Sequence, residues 1–425
     1  MASCDLKVES SKALERRYFW YRYDDIGFPN RVNHAAATYE DKISGNKYVY
    51  SFGGYHTNKE IREQLEYYFY PDYDYIFRSS DIDVHRFDVV ARQWSLVKTR
   101  SKKDDLFLAP CAKCRYGHSV CSYNDRMYMF GGRNDDDGSM ATVACFDVTS
   151  NSWINCETIG DTPEGRDGHG CTLTGSTMFI HGGYCEAKSQ LSNDLYGLNL
   201  ETLCWTKYPN NGVQIKERDF HTATAVSENE IVVFGGSSDE TVPSSSFLYT
   251  YDNKFYCYNL KEQKWTEVAI TGYKPQGRRS HTAIYCRGNV IYFGGFNCRK
   301  GKHFADLFIL NPTNCHITEV IPWGECPYAR RRSACALIGT QLLICGGTSP
   351  QKKRELGGLS MLVELDDTYI LNLLSSLQEL CMACILTHKV DYSLLPPQLN
   401  AYIEKLQLMD HKKNEKETNV ATSLP

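Results

Sequence analysis

The 425-residue chain sets 47 Lys and Arg against 51 Asp and Glu, a net charge of −4, and lacks the basic excess of a nucleic-acid-binding surface. No run approaches the roughly 18 consecutive apolar residues of a membrane-spanning helix. The first 17 residues, MASCDLKVESSKALERR, have no apolar signal core and are expected to be flexible. The 18 cysteines stand singly in strand-like contexts such as Cys121, Cys145, Cys171 and Cys335, which suits reduced core residues better than a disulfide framework. A cytoplasmic or nuclear protein is the expectation.

In chain order, the first element is the strand-like YFWYRY at 18–23, followed by a unit that recurs. An apolar run ending in Gly-Gly appears six times: VYSFGG (Gly53), MYMFGG (Gly131), MFIHGG (Gly182), IVVFGG (Gly235), IYFGG (Gly294) and LLICGG (Gly346), at steps of 78, 51, 53, 59 and 52 residues. Upstream of five pairs stands Arg-x-x-His: Arg31 and His34, Arg115 and His118, Arg166 and His169, Arg218 and His221, Arg278 and His281. In the sixth, Arg330 is followed by Ser333 in the His place. Downstream, an acidic residue precedes a Trp by 11 positions (Asp83 and Trp94, Asp194 and Trp205). Trp153 and Trp265 occupy the same place, and Ile317 replaces the Trp after Asp306.

Each unit therefore supplies four short strands. The unit resembles the kelch repeat over roughly residues 18–374, and six such units imply an all-β, six-bladed propeller. After the sixth Gly-Gly only TYILNL (368–373) remains, so the last blade lacks its Trp strand. Trp20, 11 residues before Arg31, supplies the missing partner, and the N-terminal strand is expected to close the ring. Deleting residues 18 to 24 should then damage the whole propeller. The Gly-Gly pairs read as backbone devices, and the periodic histidines and tryptophans as packing between blades rather than chemistry. An insertion at 55–79 carries EYYFYPDYDYIF (66–77), with seven Tyr and Phe in twelve residues.

What the kelch resemblance implies for binding is a mouth lined by the Arg position, its successor, and the residue after Gly-Gly. Here these are Arg31/Val32, Arg115/Tyr116, Arg166/Asp167, Arg218/Asp219, Arg278/Arg279 and Arg330/Arg331, with Tyr55, Arg133, Tyr184, Ser237, Phe296 and Thr348. Clustered guanidiniums suit a carboxylate. Tyr55, Tyr116, Tyr184 and Phe296 offer apolar walls, while Asp167 and Asp219 suit a basic side chain beside it. The alternative for each first Arg is a structural bond to loop carbonyls.

Beyond the ring, SSLQELCMACIL (375–386) has helical spacing. Ser376 and Glu379 form a capping box, and Leu377, Cys381 and Ile385 recur on one face. That face matches the BC-box by which cullin-2 receptors hold elongin C. Leu395, Pro396, Pro397, Gln398 and Leu399 fit the cullin-2 box, and Tyr402, Ile403 and Leu406 continue its apolar face. The helical segment is placed at 375–409 and a disordered polar tail at 410–425. Both motifs behind a six-repeat ring resemble the kelch-domain receptors of cullin-2 ubiquitin ligases. The resemblance implies a non-catalytic receptor whose partners are elongin C (and elongin B), cullin-2 and substrate C-terminal peptides, ending in glycine as they do for related receptors. A relative's carboxylate clamp uses an Arg after the fourth Gly-Gly and a Ser after the fifth Arg. This chain has Ser237 and Arg279 there, so the expectation is either a clamp rebuilt from Arg278, Arg279 and Arg331, with Arg133 opposite, or a different end preference.

Two other readings compete. A propeller enzyme needs converging ligands or a nucleophile and base, which the spacing does not supply; the Cys-x-x-Cys pairs at Cys111/Cys114 and Cys381/Cys384 lie 267 positions apart. The acidic Asp135 to Gly138 turn lacks the rest of a calcium loop. No metal or cofactor is expected. A kelch scaffold for a cytoskeletal or chromatin protein is distinguished by the helix: exposed Leu377, Cys381 and Ile385 favour the ligase receptor, buried ones the scaffold.

Overall fold

A computed structural model describes residues 18–23, 26–55, 80–241, 247–350 and 362–421. The Tyr-rich stretch at 66–77 and the first 17 residues lie outside the described residues. Each repeat folds into one antiparallel sheet, and the six sheets form the blades of a propeller. The third blade shows why. Thr177–His181 is central, between Gly170–Thr174 and Leu195–Asn199, with Cys204–Tyr208 outermost. Its side chains alternate between two neighbours: Met178 and Ile180 pack with Tyr128 and Phe130 of the second blade, whereas Phe179 packs with Ile231 and Val233 of the fourth. A strand buried on both faces needs a continuous apolar run, which is what precedes each Gly-Gly.

The outer edges are covered as well. In four blades a two-residue strand pairs parallel with the outermost one, as Ile159–Gly160 does with Cys204 and Trp205. At Gly160, φ is 85° and an added Cβ would lie 2.3 Å from the Trp205 carbonyl oxygen. Gly212, Gly272 and Gly324 stand in the same way over Trp265, Ile317 and Trp20. Ile317 and Trp20 therefore hold the Trp position of their blades. Phe19–Tyr23 is the closing strand expected from the sequence, antiparallel to Thr368–Asn372 with Trp20 opposite Leu371, and parallel to Trp323–Gly324.

The repeated polar residues join blade to blade. The second Gly N–H of every blade donates to the carbonyl of the next blade's Arg, from Gly54 to Arg115 round to Gly347 to Arg31, at 2.8–2.9 Å. A Cβ at Gly132 would lie 2.7 Å from the Cβ of His118, so this approach requires glycine. The histidine rings fill the seam between blades. Ser119 Oγ meets His169 Nε2 at 2.8 Å, His181 Nδ1 meets His221 Nε2 at 2.9 Å, and Thr222 Oγ1 meets His281 Nε2 at 3.0 Å. Burial holds His34, His169, His181 and His281 down at about 3, and His118 and His221 well below the usual imidazole range. These histidines are neutral spacers.

Two helices follow, α1 (Leu377–His388) and α2 (Pro397–Ala421). The capping box forms as read: Glu379 N–H donates to Ser376 Oγ at 3.2 Å and Ser376 N–H to Glu379 Oε2 at 2.7 Å. Pro397 opens α2, where its missing N–H costs no helical bond. The helix continues to Ala421, past residue 409 where the helical segment was expected to end. Met382 and Ala383 of α1 and Ile403 and Leu406 of α2 pack with Phe19 and Trp323. Tyr21 Oη donates to Glu379 Oε1 at 2.5 Å, and Asn372 Nδ2 to the same oxygen at 2.8 Å.

Candidate functional site

The mouth is built from paired loop positions. The residue after each Arg meets the residue after the Gly-Gly of its own blade: Val32 with Tyr55, Tyr116 with Arg133, Asp167 with Tyr184, Asp219 with Ser237, Arg279 with Phe296, and Arg331 with Thr348. These pairs hold the expected residues at corresponding loop positions of the six blades, with two corrections. Arg278 is not part of the mouth. Its side chain is 0% exposed, its Nη1 donates to the Gly294 carbonyl at 3.0 Å, and it grips Asp306 through both nitrogens at 2.5 and 2.8 Å. Arg115, Arg166, Arg218 and Arg330 likewise bond the first Gly carbonyl of their own blades. The first Arg of the repeat is thus a strut holding the Gly-Gly turn. Ser237 is also 0% exposed, and its hydroxyl donates to Asp219 and accepts from Arg279 Nη1 at 3.5 Å, so it braces these two rim residues.

The remaining residues divide the mouth by charge. On the fifth and sixth blades Arg279 lies 5.3 Å from the Tyr249 ring and Arg331 4.3 Å from the Phe296 ring. Arg279 Nη1 also donates to Ser237 Oγ at 3.5 Å, and two guanidiniums on neighbouring blades concentrate positive charge on this side. On the third and fourth blades stand Asp167 and Asp219. Burial pushes Asp167 up to about 7, against the pull of Arg133, and raises Asp219 against its Ser237 hydrogen bond and Arg279. Arg133 reaches Glu186 at 3.5 Å, and Ser139 Oγ donates to Asp167 at 3.3 Å. Tyr55 and Tyr116 meet edge to face at 5.4 Å. Tyr184 is half-buried on the same rim.

A carboxyl raised on folding stabilises the fold at low pH and loses that contribution as pH rises from its unfolded value near 4 through about 7. Asp167→Asn is therefore expected to stabilise the protein at pH 8 by on the order of 2 kcal/mol, and to have little effect at pH 4. Denaturant unfolding of both proteins at the two pH values checks it; equal differences at both would refute the buried-acid assignment.

Sequence reasoning missed the residue one further into the opening. Asn33, Gly117, Gly168, Phe220, Ser280 and Arg332 all have φ between 50° and 69°, and the N–H of each donates to the carbonyl of the preceding blade's member, closing a backbone ring at 2.6–3.1 Å. The signal was present as the third position of the five Arg-x-x-His motifs and of Arg330-x-x-Ser333. Its residue types differ so widely that they conceal a shared conformation.

The second candidate surface is α1. Leu377 is 78% exposed, and Leu380, Cys381 and Cys384 are exposed beside it. Ile385 is half-buried in the helical core instead, as is Leu395, while Pro396 is exposed and Leu399 half-buried at the head of α2.

A family described as KLHDC2/KLHL20/DRC7 Kelch-repeats domain matches residues 33–248 and, again, 169–377. The chain belongs to the kelch-repeat family. Kelch domain-containing protein 3 of Homo sapiens is 34% identical over 374 residues, covering 87% of this chain and 91% of the relative. Its Bos taurus counterpart is 33% identical over 378 residues with the same coverage. Host cell factor 2 of Homo sapiens is 28% identical over 260 residues, 58% of this chain but 32% of that protein. The kelch resemblance thus extends along nearly the whole length of Kelch domain-containing protein 3, and only along a part of the larger protein.

Proposed function

We propose that this kelch protein is a non-catalytic substrate receptor of a cullin-2 ubiquitin ligase. Its mouth takes the C-terminal end of a substrate, and α1 delivers the complex to elongin C with elongin B. Cullin-2 would meet the Leu395 to Leu399 segment at the head of α2. The observation that carries the reading is the outward face of α1. Leu377 and Cys381 project from a helix whose other face is fully occupied, and a helix serving only its own propeller would bury its apolar side chains. Cys381 is small where a partner's groove must close over it.

At the mouth, Arg279 and Arg331 suit a carboxylate, and Asp167 and Asp219 suit a basic side chain nearby. Glycine is favoured as the last residue because only a residue without a side chain lets its carboxylate sit deep among such groups. Holding the substrate beside a charged conjugating enzyme accelerates transfer by proximity alone. A scaffold for another folded protein is the competing reading.

Leu377→Ala combined with Cys381→Phe is expected to weaken capture of purified elongin B/C at least thirtyfold, the loss of a roughly 2 kcal/mol hot spot. A circular-dichroism melt should show the propeller unchanged. Failure of the unmodified protein to bind elongin B/C would leave the scaffold reading.

A further inference from the structure

The six-residue backbone ring surrounds a cavity of about 110 Å³ on the propeller axis. Its walls are Asn33, Gly117, Gly168, Phe220, Ser280 and Arg332, with the interblade histidines beyond them. Arg332 is the one formal charge among those six. Its Nη1 donates to Tyr55 Oη at 2.7 Å, and its guanidinium lies 5.9 Å from the Phe220 ring centre. The histidines behind it are held neutral by burial, so they add no positive charge.

We propose that Arg332, rather than the rim arginines, receives the terminal carboxylate of a bound peptide inside this axial cavity, with Tyr55 orienting its guanidinium. The inference rests on the peptide-end reading above and deepens it. Arg332 is the cation of this ring, with Asp219 the acid near enough to feel its charge, and it matches one small monoanion. The planar guanidinium supplies the paired donors that a carboxylate accepts, and Asn33 and Ser280 add neutral polar groups on the same ring. Arg279 and Arg331, stacked on Tyr249 and Phe296 further out, would then contact the peptide upstream of its end. A side chain on the last residue would run into the ring wall, which gives a physical reason for a glycine there.

Two measurements test this with the full chain. The first uses ¹³C-formate as a bare carboxylate. The unmodified protein and Lys264→Gln, a control at an exposed cation of an outer strand, should broaden its NMR resonance, and Arg332→Gln should not; absence of broadening by the unmodified protein, or equal broadening by Arg332→Gln, overturns the assignment whatever the peptides do. The second uses a pool of random peptides ending in glycine, as free acids and as amides. The free-acid pool should bind at least tenfold more weakly to Arg332→Gln, and the amides should be indifferent to the substitution. Unchanged free-acid binding by Arg332→Gln, with the loss appearing in Arg279→Gln or Arg331→Gln, overturns the axial site and leaves the receptor reading intact. No pool binding by the unmodified protein overturns the peptide-end reading and, with it, the proposal's role for the cavity. Arg332→Lys, which keeps the charge but not the fork, should retain part of the formate effect and so separates loss of the cation from loss of the fold.

Discussion

Lowering the pH from 7.5 to 5 is expected to unfold the propeller at room temperature or bring it close to unfolding. Six histidines, His34, His118, His169, His181, His221 and His281, are buried and held neutral well below the ordinary imidazole range. The unfolded chain takes up protons near pH 6.5, so their contribution to stability is whole above that value and is lost as pH falls through 6.5 towards 3. At pH 5 each costs about 2 kcal/mol, and together on the order of 10 kcal/mol. That rivals the roughly 5–15 kcal/mol by which a domain is stable at all. Asp167 acts in the opposite sense, but one carboxyl offsets only one or two of the imidazoles. Thermal melts at pH 7.5, 6 and 5 should show a steep fall over this window. A melting temperature unchanged down to pH 5 would mean that these rings are charged or wet in the fold.

The second large effect concerns the closing strand. Deletion of Phe19–Tyr23 is expected to abolish the cooperative unfolding transition and to free both helices at once. The strand serves two bodies because its side chains alternate. Trp20 points into the propeller, edge to face with Phe293 at 5.7 Å and Tyr369 at 6.2 Å. Phe19 and Tyr21 point to the helices, Phe19 against Met382 and Ile403 and Tyr21 onto Glu379. Single substitutions separate the roles. Phe19→Ala should cost about 3–5 kcal/mol as a buried aromatic truncation, and should increase proteolysis of α1 and α2 before that of the blades. Trp20→Ala should loosen blades five and six first. If Phe19→Ala left helix proteolysis unchanged, the helices would be held by other contacts.

Much of this architecture was legible in the chain. The Gly-Gly period gave the blades, and the stray Trp20 gave the closure, because each reflects a backbone or core requirement repeated six times. The capping box was equally plain, since Ser376 and Glu379 act within one helical turn. The mouth was harder. Arg278 looks like a ligand-binding residue in the sequence because its partner, Asp306, stands 28 residues away and only the folded blade joins them. Ser237 misled for a similar reason: position after Gly-Gly predicts the rim, but its buried hydroxyl is engaged by Asp219 and Arg279, 18 and 42 residues away. Arg332 escaped notice because its role comes from a ring of six φ values that no single repeat displays. On α1, spacing put Leu377, Cys381 and Ile385 on one face, yet the hairpin core with α2 draws Ile385 inwards.

The order in which the ribosome makes this chain has a cost that follows from the closing strand. FWYRY leaves the exit tunnel long before its partner Thr368–Asn372, which comes some 350 residues later. At roughly 5–20 residues per second, the wait is tens of seconds. During that time an aromatic strand with a bare edge is available to any other unpaired strand. A nascent chain cut short before residue 368 can never cover it. Expression of such truncations should therefore engage chaperones and aggregate far more than loss of the helices alone, because the ring cannot close before its last blade is made.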